Sequence, residues 1–166
     1  MKRAILFLFV CVLAGCQPSS TRPSEDAERA AQYGFPTRPD GPIADAAQII
    51  APAEEVALDR RLRQLLDTEK TAVIVVTVTS LNGADEAAYA NALARHWHIG
   101  AERGGLLILV APDDRRVRIE TDDAVRIRLT DADCAAIIEE IMLPRFRRKD
   151  YAEGIRAGVE AIAAKL

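Results

Sequence analysis

Two short runs of polar residues follow two apolar stretches. Asp113 and Asp114 come directly after Gly105-Leu106-Leu107-Ile108-Leu109-Val110-Ala111, and Ser80 and Asn82 come directly after residues 72–79. If the apolar stretches are parallel strands, all four polar residues gather at the carboxyl ends of a sheet, where open α/β sheets tend to bind ligands. Carboxylates, hydroxyls and carbonyls suit a hard cation, Ca²⁺ or Mg²⁺, whereas Zn²⁺ favours Cys and His. The competing reading is plain turn chemistry, for which Pro112-Asp113-Asp114 is well suited.

A second set is basic. Arg116, Arg118, Arg126 and Arg128 recur at spacings of two within alternating segments and would share a face able to meet an anionic partner. Alternatively they form a solvated face paired with Glu120, Asp122 and Asp123. Arg145, Arg147, Arg148 and Lys149 form another basic run, one that could meet an anionic partner or lipid headgroups. His96 and His98 flank Trp97, and two residues apart on a helix they point to different sides, so they make a poor zinc pair. Thr130 followed by Asp131 and Asp133 reads as a helix cap with acids in the first turn. Cys134 stands in line with Ile137, Ile138 and Ile141, which makes it a core thiol rather than a nucleophile. The chain contains no phosphate-binding loop, Gly-x-Ser-x-Gly or His-Glu-x-x-His motif.

These groups need elements to hold them. Residues 52–67 read as a helix with Leu58, Leu62, Leu65 and Leu66 on one face, opened by Pro52 at a position where its missing N–H costs little. Residues 72–79 and 105–111 read as buried strands, and residues 84–97 between them as a helix, which together predict a parallel crossover. Residues 115–121 alternate and predict an antiparallel partner, and residues 125–129 alternate too and predict a short edge strand. A helix from about 130 to 142 ends at Pro144. A last helix starts at a second cap-like sequence, Asp150-Tyr151-Ala152-Glu153, and packs through Tyr151, Ile155, Val159 and Ile162. Gly154 and Gly158 lie beside that stripe and would let a neighbour approach closely. The fold class is α/β: a three-layer α/β/α sandwich, with a small mixed sheet of three or four strands and helices on both faces.

The N-terminal segment reads as a sorting signal. Lys2 and Arg3 precede a short apolar run that ends in Leu13-Ala14-Gly15-Cys16, which looks like a bacterial lipobox. Residues 1–15 are then a cleaved signal, Cys16 is lipid-modified, and Cys134 is the one thiol left free. Residues 16–42 hold five of the eight prolines and read as a tether, with the α/β domain at 43–166. Gln17 after the cysteine favours the outer membrane, facing the periplasm. With 166 residues, 49% of them hydrophobic, there is one domain's worth of core. A net charge of −3 and only 5% aromatics argue against nucleic acid as a partner.

From residue 40 to 162 the order of motifs resembles the TPM domain family. The resemblance rests on Gly41-Pro42-Ile43-Ala44-Asp45, Val73-Ile74-Val75-Val76-Thr77-Val78, Trp97-His98-Ile99-Gly100 and residues 105–110. It continues through Arg116-Val117-Arg118-Ile119-Glu120, Leu129-Thr130-Asp131 and Pro144-Arg145-Phe146-Arg147, and ends with Asp150-Tyr151, Gly154-Ile155 and Gly158-Val159. It implies an α/β/α sandwich facing the envelope or lumen, divalent-cation binding in some members and an acid phosphatase activity ascribed to others. It adds Asp45 to the candidate cation ligands Ser80, Asp113 and Asp114. One departure stands out: the family's glycine-rich turn and its Glu are replaced here by Thr121-Asp122-Asp123-Ala124-Val125-Arg126, with Arg126 at the Glu position. The expectation is therefore a lipid-anchored envelope domain that binds a protein partner and carries a weak Ca²⁺ or Mg²⁺ site; the alternative is a metal-assisted acid phosphatase.

Overall fold

In the computed structural model, which describes residues 31–166, the sheet has four strands. They are β1 (Ile43–Asp45), β2 (Ala72–Thr77), β3 (Gly105–Ala111) and β4 (Arg116–Thr121), and they lie side by side in that order. The first three run parallel and β4 is antiparallel to β3. The register explains the alternation in the sequence. Ile43, Val75, Ile108 and Ile119 line up across all four strands and enter one core. Their neighbours Ala44, Val76 and Leu109 enter a second core on the opposite face. β2 and β3 read as continuous apolar runs because helices cover both faces.

One core lies under α1 (Pro52–Glu69) and α6 (Tyr151–Ala163), the other under α2 (Glu86–His96). Pro52 opens α1, and the Glu54 carboxylate reaches back to the Ala51 N–H at 3.4 Å. Leu58, Leu62 and Leu65 are buried as expected, while Leu66 is 37% exposed. Asp85 caps α2 by accepting from the N–H groups of Ala87 and Ala88 at 3.0 and 2.9 Å. Tyr33 and Phe35 pack against Tyr89 with ring centroids 5.6 and 5.0 Å away, so packing begins before residue 43, within the proposed tether. Residues 1–15 and Cys16 lie outside the described residues.

Three expectations change. The predicted edge strand at 125–129 is the short helix α3 (Asp123–Arg126) and the turn after it. Val125 and Leu129 are buried and Ile127 is 83% exposed, because an apolar residue at every second position also puts i and i+4 on one helical face. The fourth strand is instead β1, three residues too short to show a period.

Pro144 does not end its helix. α4 (Asp131–Ala136) passes into a π-helical stretch (Ile137–Met142) and then α5 (Leu143–Phe146). The Leu143 N–H donates to Ile138 O, five residues back, and the widened turn accommodates a proline that has no N–H to give. The extra residue also shifts the inward position, so Met142 is fully buried and Ile141 only partly so. Finally, Asp150 makes no side-chain cap on α6.

The glycine expectation is met. A β-carbon on Gly158 would come within 2.9 Å of Met142, and one on Gly154 within 2.4 Å of the Phe146 ring. Across α1 and α6, Arg61 grips Glu160 through two bonds of 2.8 and 2.7 Å, which holds the Glu160 carboxyl below its ordinary range.

Candidate functional site

The parallel strands place Asp45, Ser80, Asp113 and Asp114 at the carboxyl end of the sheet, as the sequence requires, but the four are not equivalent. Asp45 ends β1 beside Thr77 of β2. Its Oδ1 accepts from the Ile49 N–H at 3.1 Å and from the Thr77 hydroxyl, and its Oδ2 accepts from the Ile50 N–H at 2.9 Å. Asp45 therefore ties the turn that leads into α1, and most of its acceptor capacity is used within the fold.

Asp114 lies in the β3–β4 turn and bridges to the chain after β2. Its Oδ1 accepts from the Ser80 hydroxyl at 3.1 Å and its Oδ2 from the Leu81 N–H. The Ser80 oxygen in turn accepts from the Asn82 N–H at 3.0 Å. Each Asp114 oxygen keeps a free lone pair. Asp113 is exposed, and its backbone N–H donates to Thr79 O at 3.2 Å. Among the described residues no three of His, Cys, Asp or Glu converge as a metal cage would require.

The arginines divide into two pairs. Arg116 and Arg118 point to the α2 side of β4, where Arg116 pairs with Glu86 at 3.6 Å and Arg118 with Glu120 at 2.8 Å. Arg126 belongs to α3 and reaches Asp123, Asp131 and the Thr121 carbonyl at 3.3, 3.6 and 2.8 Å. Arg128 donates to the Thr71 hydroxyl at 3.0 Å and to the Leu166 carbonyl, near the other core. The four do not form one face, because residues 123–129 leave the sheet instead of continuing its alternation.

From the sequence, Asp122 reads only as a charge partner. It sits at the opposite, amino end of β3. Its carboxylate accepts from the Gly105 N–H at 2.6 Å and the Val125 N–H at 2.9 Å, so it joins the start of β3 to the cap of α3. Gly100, at φ +81°, lies so close that a β-carbon would stand 2.2 Å from Asp122 Oδ2. The available signal was an Asp directly before a helix-compatible Asp-Ala-Val-Arg. A cleft of about 250 Å³ opens here, lined by Asn91, His98, Glu120, Thr121 and Asp122 among others. Glu120 is only 8% exposed, and both its oxygens already accept, from Asn91 at 3.2 Å and from Arg118.

His96 and His98 do not act together: His96 lies against the Phe35 ring at 5.7 Å, and Nδ1 of His98 is 3.1 Å from the His96 carbonyl. Cys134 is buried and free, and burial pushes its thiol up to about 11, which makes it a poor nucleophile. Thr130 and Asp133 cap α4 reciprocally, as expected.

Comparison with known proteins places this geometry. The family model for the TPM domain matches residues 43–165. The solution structure of the N-terminal domain of a protein from P. gingivalis is 35% identical, with a TM-score of 0.70, covering 75% of this chain and 80% of that one. An N-terminal domain from Corynebacterium glutamicum is 18% identical with a TM-score of 0.62, covering 78% and 82%. The BA42 protein of the psychrophilic bacterium Bizionia argentinensis is 19% identical with a TM-score of 0.61, covering 70% and 81%; these last two likenesses speak for the fold alone. No curated protein matches. With the family model spanning the whole sheet and all the helices assigned above, and with a 35% identical domain sharing the fold, this chain belongs to the TPM domain family.

Proposed function

We propose that the chain is a TPM domain held at the bacterial envelope by a lipid on Cys16, at the outer membrane and facing the periplasm, where it binds an envelope protein partner and takes a divalent cation weakly. The observation that carries the cation reading is Asp114. It stands at the carboxyl ends of β2 and β3, is oriented by Ser80 and Leu81, and has lone pairs to spare, with the exposed Asp113 carboxylate beside it. Asp45 supports the turn behind this site and does not complete the ligand set. Two carboxylates and a hydroxyl leave most of the six to eight positions of Ca²⁺ to water, so affinity falls near the weak, roughly millimolar end of biological calcium sites.

Titrating the protein with Ca²⁺ while following backbone amide NMR shifts tests this. Saturable shifts at Ser80, Leu81 and residues 112–115 that vanish in Asp114→Asn support the site. No shifts up to millimolar cation, or saturating shifts elsewhere, remove it. Cation-dependent phosphate release from a simple phosphate ester would move the reading to the metal-assisted acid phosphatase. In cells, normal maturation and membrane fractionation of Cys16→Ser would remove the anchor.

A further inference from the structure

The cations that the fold leaves unused are not those on β4. Among the described residues, Arg61, Arg63, Arg116, Arg118, Arg126, Arg145, Arg156 and Lys165 all sit in ion pairs. Arg147, Arg148 and Lys149 are consecutive and exposed, and none has a side-chain partner. Arg60, Arg103 and Arg115 are also unpaired, but they stand on three separate segments.

The turn that carries the three is firmly built. The N–H groups of Arg147, Arg148, Lys149 and Asp150 are satisfied by Leu143, Arg145, Phe146 and Arg145 carbonyls at 3.0, 2.9, 2.9 and 3.1 Å. Lys149 takes a left-handed φ of +61°, which reverses the chain into α6. The Phe146 and Tyr151 rings pack at a tilt across the turn with centroids 5.3 Å apart, and Gly154 lets Phe146 approach α6 closely. Arg145 is tied to Glu153 at 3.7 Å and to Ile141 O at 2.7 Å, so it braces the turn rather than adding to its free charge.

We infer that this turn docks the domain onto an anionic lipid surface. The three side chains project from a tight turn and line neither the cleft beside Glu120 and Asp122 nor the one between Arg38 and Trp97, so they suit a broad layer of phosphate headgroups better than a shaped ligand. In a chain with net charge −3, such a patch orients the molecule by one end. The inference takes its setting from the envelope reading, since an acylated Cys16 would keep the turn within reach of headgroups. Each basic residue near an anionic bilayer strengthens binding about fivefold, so three give on the order of a hundredfold.

Flotation of the mature chain, residues 16–166 carrying Cys16→Ser so that neither the signal segment nor an acyl group contributes, tests this. The probes are vesicles of phosphatidylcholine and vesicles of phosphatidylcholine with phosphatidylglycerol, over a salt series. The expected result is a preference for the anionic vesicles that fades with salt. It drops on the order of a hundredfold in R147Q/R148Q/K149Q, falls several-fold in Arg148→Gln alone, and holds in R116Q/R118Q. Equal partitioning of the parent and the triple variant overturns the inference, as does an equal loss in R116Q/R118Q. Loss of retention on immobilised polyglutamate with unchanged vesicle binding also overturns it and points to an acidic polypeptide instead. Because acylation plays no part in this assay, its failure is distinguishable from failure of the anchor, which the fractionation of Cys16→Ser reads separately.

Discussion

Asp45 and Asp114 occupy the same end of the same sheet, yet the fold treats them differently. Asp45 sits where β1 turns into α1 and receives three hydrogen bonds, two of them from consecutive backbone N–H groups. Asp114 sits in a hairpin turn and receives two. A carboxylate that closes a turn is part of the scaffold, while one that only bridges two loops keeps acceptor capacity for solvent or a cation. Residue type and the end of the sheet are alike in the two cases; the number of donors that converge on each carboxylate is what differs.

A carboxylate offered no donors completes the scale and should have the largest effect. Cys134 is 6% exposed and belongs to the core cluster that holds Ile137, so Cys134→Asp places a charge in the core with no hydrogen-bond donor built for it and should cost about 3–5 kcal/mol in urea unfolding. The native thiol should react slowly with a thiol reagent and faster in denaturant, and rapid native labelling would contradict its burial. Next comes Asp45→Ala, which strands the Ile49 and Ile50 N–H groups and should cost about 2–4 kcal/mol by the same measurement. Asp114→Ala should cost only about 1–2 kcal/mol, because Asp114 is exposed and water can replace it at the half-exposed Ser80 hydroxyl, which leaves only the Leu81 N–H to lose its partner. Equal losses at Asp45 and Asp114 would erase the distinction between scaffold and site.

The smallest effect is read by acid. Hydrogen bonds from Lys165, and then from Thr130, hold the Asp133 carboxyl down at about 2, below its ordinary 3.8. Since the folded value lies below the unfolded one, this carboxylate contributes stability above pH 4, and the contribution fades as pH falls toward about 2. Lys165→Met should flatten that part of the stability–pH curve by lowering stability above pH 4, a small loss because the pair is partly exposed, and should leave stability at the acid end unchanged.

Much of this was legible in local patterns. The apolar runs at 72–79 and 105–111, the alternation at 115–121 and the Leu58-Leu62-Leu65 stripe each reflect a period imposed by one neighbour. Gly154 and Gly158 beside an apolar stripe foretold close helix contact, and Thr130 foretold its cap. The failures share a cause. Val125-Arg126-Ile127-Arg128-Leu129 satisfies both a strand and a single helical turn, and only the Asp122 cap and the burial of Val125 and Leu129 decide between them. Pro144 usually stops a helix, but a π-turn stabilised by packing of Met142 against Gly158 carries the chain past it.

The sequence by itself determined the α/β class, the order of nearly all the elements, the family and the types of residue at the strand ends, because these follow from periodicity and residue chemistry along a single stretch of chain. Tertiary structure alone decided which charges remain available. Arg118 is neutralised by Glu120 two residues away, but Arg116 needs Glu86 from α2, Arg61 needs Glu160 from α6, and Asp45 needs Thr77 from the adjacent strand. Ion pairs and shared hydrogen bonds join groups far apart in the chain, so the three cations left over at residues 147–149 and the spare lone pairs of Asp114 emerge only when every other partner is in place.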